Sequence, residues 1–430
     1  MTRIGRAGFA LIALLGTTSV FAAELPDGIN TNVLRNLLQQ APVSGSIRGS
    51  YWSSSRTLDD REHLAVATLW LKATPKLGSN ASLLVEGWVI NQQLFREEET
   101  DGALREAYLD VSLGPVDLRV GKQIIAWGRA DRINPTDNLT PRDFTLLVSE
   151  DDDQRLGPFA IKTTYYIGGF SLTGVWLPHF ESDTIPLRQP PPLFTLRERE
   201  PDETVGQWAL KIEQTGKRVD WSFSYFDGFD PFPDLGIGQV STARVDVLLR
   251  NHRIHVIGAD AATTIGRYGL RGEMAYTFTE DAGGRNPEVK NPFFFLVVGG
   301  DRTFFEYLNI NLQYIVRVVV NFRSPFQIQD FIQRNVAIQQ AVQTNQLDRV
   351  QHGISLRLSH KWWNETLEGE VVGVFAITRG GYVIRPKVTY ALTDRWKGVI
   401  GADIFRGPRP SFFDNLRDNS TAYAELRWSF

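Results

Sequence analysis

Hydrophobic and polar residues alternate with a period of two through much of this chain. Leu308, Ile310, Leu312 and Tyr314 share one face of an extended segment, while Asn309, Asn311 and Gln313 share the other. Val219, Trp221, Phe223 and Tyr225 alternate in the same way with Asp220, Ser222 and Ser224, and Ile354, Leu356 and Leu358 with Ser355, Arg357 and Ser359. Successive side chains of a strand point to opposite sides, so each segment reads as a strand with one oily and one wet face. The last ten residues repeat the pattern, with Ala422, Ala424, Leu426, Trp428 and Phe430 opposite Thr421, Tyr423, Glu425, Arg427 and Ser429.

Turn-forming residues divide this pattern into segments of about ten residues, and the connections alternate between two classes. Short ones lie near Pro75, Gly114, Gly168, Gly216, Gly266, Asp301, Trp363 and Asp394. Long ones cover 93–102, 128–157, 178–203, 229–243, 280–290, 321–348 and 407–419. Strands placed between them number eighteen, with sixteen as the alternative because 244–264 and 291–306 read two ways. Residues 29–40 and 328–347 break the pattern and read as helices, the second with a loose apolar stripe of Phe331, Val336, Ile338 and Val342.

Beyond the N-terminal leader no run of eighteen apolar residues occurs, and Arg317 interrupts the candidate YIVRVVV. Strands with a continuous oily face then leave a closed barrel as the way to cross a bilayer with every backbone group paired. The expected fold is all-β: a transmembrane antiparallel up-and-down barrel with short periplasmic turns and long external loops. An even strand number puts both chain ends on the periplasmic side. Either helix then reads as a cap on the rim or as an insert that narrows the lumen.

Composition agrees: aromatic residues make up 11% of the chain, with 11 Trp, 12 Tyr and 26 Phe. Residues 1–22 read as a signal peptide, with Arg3 and Arg6, an apolar run from Ala7 to Leu15, and small residues around Ala22. Residues 23–43 read as a periplasmic segment holding the first helix, and 44–430 as the barrel. Formal charge is −3, becoming −5 without Arg3 and Arg6, which argues against nucleic acid as a partner. The chain has no Cys, so disulfides, thiolate metal sites and a lipid-modified N-terminal Cys are excluded.

The segment AWGRADRINPTDNLTPRDFTLLVSEDDDQRLGP, from Ala126 to Pro158, is the most distinctive in the chain. Its Asn134-Pro135 and Thr140-Pro141 pairs initiate turns, and its Asp and Asn side chains can bond back to neighbouring amides, which predicts an ordered loop. With Arg105 to Asp110 (REAYLD) and Gly121 to Asp143, it resembles a family of largely uncharacterised proteobacterial outer-membrane barrels carrying a WGR-x-D-x-x-NPTD-x-LTPRD signature. The weaker likeness extends over most of the mature chain, including Asp301 to Tyr314. The resemblance implies a porin-like, transport-type barrel and leaves its cargo open.

By analogy with porins whose third external loop turns inward, Arg129, Asp131, Arg132, Asp137, Arg142 and Asp143 are candidates for a constriction. The competing reading is a rim loop held by internal Arg-Asp pairs. Glu150, Asp151, Asp152 and Asp153 lack the spaced ligands and glycine of a calcium loop and read as a solvated acidic face, with weak divalent bridging to lipopolysaccharide left open. On the inward faces, Glu86, Glu106, Asp110 and Asp117 would form an acidic wall and Arg317, Arg357, Arg385 and Lys387 a basic wall opposite it, blurred by Arg119, Lys162, Lys211, Glu368 and Glu370. Such walls would orient charged solutes in transit, unless the charges simply pair across a wet interior.

Six histidines are scattered through the chain; His252 and His255 sit at an offset that sends them to opposite faces of a strand, and no G-x-S-x-G or HExxH motif occurs. No enzyme activity, cofactor or metal site is expected. The reading is a channel for passive or substrate-selective diffusion of small solutes through a charged, water-filled lumen. The alternatives are a hydrophobic-compound uptake channel, and a sheath or adhesion scaffold for a partner. Expected partners are outer-membrane lipid and lipopolysaccharide, a second copy of the chain in a homo-oligomer, and the barrel-assembly machinery. The last would read Phe430, Trp428 and Leu426 at the C-terminus.

Overall fold

The computed structural model describes residues 42–58, 63–94, 100–187, 194–199, 206–241 and 244–430. The predicted signal peptide and the helix expected at 29–40 lie outside them. The first wall strands are Val43–Trp52 (β1), Leu64–Ala73 (β2), Ala81–Asn91 (β3), Thr100–Leu113 (β4), Val116–Lys122 (β5), Phe159–Ile167 (β6) and Phe170–Leu177 (β7). After Phe194–Arg199 (β8), the wall resumes with Gln207–Gln214 (β9) and Val219–Phe229 (β10). Two outer strands, Asp234–Val240 (β11) and Val245–Arg250 (β12), precede Arg253–Ile265 (β13), Tyr268–Thr279 (β14), Phe293–Phe304 (β15) and Leu308–Val319 (β16). Val350–Trp362 (β17), Leu367–Ala376 (β18), Tyr382–Ala391 (β19), Trp396–Arg406 (β20) and Thr421–Ser429 (β21) complete the wall.

Eighteen of these strands form one antiparallel sheet in which each pairs with the next wall strand along the chain. The sheet closes because β21 pairs with β1, Leu426 opposite Gly49 and Trp428 opposite Ile47. Closure leaves no edge strand, so every strand's backbone has partners on both sides. The eighteen-strand reading therefore holds and the sixteen-strand alternative falls. Residues 293–304 are a wall strand, and the 244–264 region splits between β12 and β13.

Alternation sets what each face meets. On β21, Leu426 is 47% exposed and Glu425 6%. Ile257, Leu270, Met274, Leu312 and Ile400 are likewise exposed on the outer surface, as befits side chains meant for lipid rather than water. Exposed aromatic residues lie at both ends of the wall, with Tyr51, Trp176, Trp208, Phe278 and Phe375 toward the long loops and Trp362, Trp363, Tyr390, Trp396 and Phe430 toward the periplasmic end. There the β17–β18 and β19–β20 connections are four residues each.

Not every strand within 44–430 joins the wall. Strands β8, β12 and β11 form a separate three-stranded sheet, with β12 parallel to β8 and antiparallel to β11. The helix Phe331–Gln343 (α1) packs on it: Val336 joins Leu235 and Leu249 in one apolar cluster, and Gln340 Oε1 accepts from the Leu235 amide at 2.6 Å. Asp330 caps α1 by accepting from the Gln333 amide. At its other end the Thr344 carbonyl accepts from Arg317 on the inward face of β16.

Candidate functional site

The 128–157 segment lies across the inside of the ring. β5 ends at Lys122, and the chain then turns inward, with Gln123, Ile125 and Trp127 all buried. Its tip bonds to inward-facing residues on β9, β13, β14, β16, β17, β18, β19, β21 and β1. Strands so far apart round the ring can be bridged by a single segment only through the interior.

The signature residues make most of these bonds. Glu273, on the inward face of β14 and 1% exposed, is the anchor. Its Oε2 accepts from the Arg129 and Ala130 amides at 3.0 Å each and from Asn134 Nδ2 at 3.3 Å. Its Oε1 accepts from the amide and the hydroxyl of Thr136, both at 2.8 Å. Gly128, with φ +98, makes the approach possible, since a Cβ there would stand 2.5 Å from both carboxylate oxygens.

The six candidate residues divide into two groups. Arg129 reaches Asp260 on β13 (2.6 Å) and Glu213 on β9 (2.5 Å). Asp131 pairs with Arg357 (2.8 Å), and its amide donates to Gln313 Oε1 (2.8 Å). Arg132 bridges Asp151 (2.7 Å) and Glu370 (3.0 Å). Asp137 and Arg142 instead pair with each other at 3.3 Å, and Asp137 also takes Arg155 at 2.5 Å. Asp143 accepts locally from the amide and hydroxyl of Thr145.

The acidic run is not the solvated face expected from its composition. Glu150 pairs with Lys387 (3.1 Å), Asp151 with Arg385 (2.6 Å) and Asp153 with Arg48 (2.6 Å), while Asp152 alone is open, its side chain 88% exposed. The loop carries these carboxylates to the cations of the far wall. Although burial pushes the Asp151 carboxyl up, the Arg385 and Arg132 guanidiniums hold it down to about 2.

The two expected walls therefore do not face each other across open water. Glu86 binds Arg105 (2.7 Å) and Lys72 (3.0 Å), Asp110 binds Arg119 (2.6 Å), Glu106 accepts from the Ile124 amide, and Asp117 accepts from Ser112. Of the basic set, Arg357, Arg385 and Lys387 are taken by loop and wall carboxylates. Arg317 donates to the Thr344 carbonyl and lies between the Phe293 and Phe295 rings. Of the histidines, His252 Nδ1 bonds Asp234 at 2.8 Å, and His255 stacks on Tyr225.

Apolar packing also seats the loop. Leu146, Leu147 and Val148 enter a cluster with Trp52, Leu64, Val66, Trp70, Trp88 and Ile90 on the inward faces of β1–β3. Ile125, Trp127 and Leu139 pack against Val175, Leu177, Phe226, Ile254 and Val256 on the opposite side. Each buried aliphatic side chain is worth about 1.5–3 kcal/mol. The expected polar lining is thus absent from the upper inner wall of these strands.

Sequence reasoning missed Glu273 and these inward apolar residues. A signal for the latter was present: β2, LAVATLWLKA, is apolar on both faces, and a strand buried on both sides reads that way.

A closed ring of eighteen antiparallel strands, an outward apolar surface and an interior crossed by its own loop together define a transmembrane β-barrel of the bacterial outer-membrane type. No protein-family model matches the chain, and no curated protein matches its sequence. Among solved structures it is similar to a loop-deletion mutant of OmpT, an outer membrane protein of Vibrio cholerae, at 10% identity and TM-score 0.44, over 91% of this chain and 99% of that one. It is also similar to a mutant of the Rh. blastica porin at 13% identity and TM-score 0.42, over 91% of this chain and all of that one.

Proposed function

We propose that this chain is an outer-membrane channel for small charged or dipolar solutes, with the 123–158 segment as its constriction. The observation that carries this reading is the loop itself: one connection crosses the interior and is tied to the wall by ion pairs on several sides, leaving a charge-lined space beside it. Fixed charges at a narrow point select among solutes, because a solute that sheds water there must find matching partners. Arg129, Asp131 and Arg132 act in this reading as the loop's contacts with the wall, while Asp137, Arg142 and Asp143 hold its internal shape. The signature from Trp127 to Asp143 supports membership of the barrel family that it resembles.

The apolar inner faces that a hydrophobic-compound channel would need are filled by Leu146, Leu147 and Val148. That leaves the polar route as the better supported one. Planar-bilayer recording of the purified protein tests the reading, with and without residues 128–157 replaced by a short Gly/Ser linker. The expected result is a small conductance that rises when the loop is removed. No conductance in either form would overturn the channel, and equal conductance in both would overturn the constriction.

A further inference from the structure

A cavity of ≈ 330 Å³ lies against the loop, between the inward faces of β18–β21 and the loop residues Arg132 and Glu150. Thr389 and Val399 form part of its wall, and its other lining side chains are charged. Five of them are committed to partners: Arg132 and Lys387 share Glu370, Glu150 binds Lys387, and Arg427 is held by Glu425 at 2.7 Å. The other two make no ion pair or side-chain hydrogen bond among the described residues: Glu368 stands opposite Lys361, whose ammonium feels its charge but is held by Glu365 at 2.8 Å, and Lys397 is exposed.

These two groups carry opposite charge and flank the same cavity. Glu368 stands opposite Thr389 on β19, and Thr389 opposite Val399 on β20, two residues from Lys397. Their strands are two spacings apart, about 10 Å between backbones, which is too far for the side chains to meet as direct cross-strand neighbours. Lys397 is further set apart by its register, since it lies opposite Arg427, which lies opposite Arg48. Like charges in one rung repel. Asp153 answers Arg48 and Glu425 answers Arg427, but Lys397 has no such answer.

We infer that this cavity is a binding site for zwitterionic amino acids, with the solute carboxylate taken by Lys397 and its ammonium group by Glu368. The inference rests on the channel reading for its physiological sense, but binding does not require conduction. A dipolar solute gives both groups a direct hydrogen-bonded partner at once, whereas a simple anion or cation leaves one of them without one. The volume falls within the range of small-molecule sites.

Titration calorimetry on the detergent-solubilised full chain tests it, using glycine, 4-aminobutyrate and 6-aminohexanoate as probes of charge separation and butyrate and butylamine as single-charge controls. At least one zwitterion should bind more tightly than both controls. Glu368→Gln and Lys397→Gln should each weaken that binding about fivefold, the upper end for a wet ion pair. The double exchange Glu368→Lys with Lys397→Glu should recover part of it, which separates lost charge complementarity from a damaged fold. No binding by any zwitterion, equal binding by butyrate, or unchanged affinity in the single variants would overturn the inference. Binding without conductance would leave it standing while removing the channel reading, and conductance without binding would do the reverse.

Discussion

At the scale of single residues, the signature is a set of instructions for meeting one carboxylate. Gly128 removes a Cβ, Asn134 and Thr136 supply side-chain donors, and the amides of Arg129, Ala130 and Thr136 complete the ring round Glu273. A side chain at Gly128 would have to take a left-handed backbone as well as displace that carboxylate, at a cost of about 1–3 kcal/mol for the conformation alone. Glu273→Gln would keep one acceptor oxygen but set an NH2 group against the donors that met the other, losing charge-assisted bonds worth about 1.5–3 kcal/mol each. Both variants are expected to keep the barrel and loosen the loop, seen as faster amide hydrogen exchange over residues 128–137 with unchanged exchange in β16 and β17. Unaltered exchange in the loop would show that Glu273 is not its anchor.

At the scale of elements, the inward loop is clasped from outside by its neighbour. The 178–187 segment lies alongside it: the Arg142 amide donates to Asp183 Oδ1 at 2.8 Å, the Thr184 amide to the Arg142 carbonyl at 2.9 Å, and the Phe144 amide to the Thr184 carbonyl at 2.9 Å. Burial pushes the Asp183 carboxyl up to about 7, against the pull of the Arg142 amide and with the help of Asp230. An acid whose folded value lies above its ordinary one near 3.9 binds its proton more tightly when folded. The clasp is thus firmest in acid and weakens as pH rises from about 4 to about 7. Thermal unfolding followed across that window should show this loss in the parent protein and a flatter profile in Asp183→Asn; identical profiles would remove Asp183 as the cause.

The small outer sheet belongs to the same scale. Residues 244–264 were ambiguous because β12, VDVLLR, has the composition of a wall strand. Its partners decide otherwise: it pairs in parallel with β8 and antiparallel with β11, and its Leu249 packs with Val336 of α1. Nothing local separates a strand that joins the wall from one that joins a lid. The presence of α1 was legible from its spacing, but the surface it covers was not.

At the scale of the whole molecule, the ring is closed by a seam between segments some 380 residues apart in sequence, and its register sets which charges look inward. Because the chain has no Cys, that register is open to direct measurement. Gly49 and Leu426 stand opposite each other on the outer surface, and directly opposed residues in an antiparallel pair have Cβ atoms about 4.5–5.5 Å apart. Gly49→Cys with Leu426→Cys should therefore crosslink within one chain on mild oxidation. The product would run as a compact circular species on a denaturing non-reducing gel and revert with reductant. Failure of the pair to crosslink, or a crosslink obtained instead with Cys one residue away in register, would refute the seam.

What the sequence determined by itself was the wall. The side-chain period of a strand is a property of the backbone, so each segment carried its own evidence for which residues face lipid, and turn residues marked where one strand stops. Eighteen strands, the order of short and long connections and the inward placement of Glu425 and Arg427 all follow from that local rule. What only the tertiary structure decided was the interior. Whether Asp151 meets solvent or Arg385, and whether Arg129 meets a solute or Asp260, depends on ring closure bringing segments distant in the sequence within hydrogen-bonding reach. Alternation states which side of the wall a charge is on, and the folded ring alone states which opposite charge is waiting there.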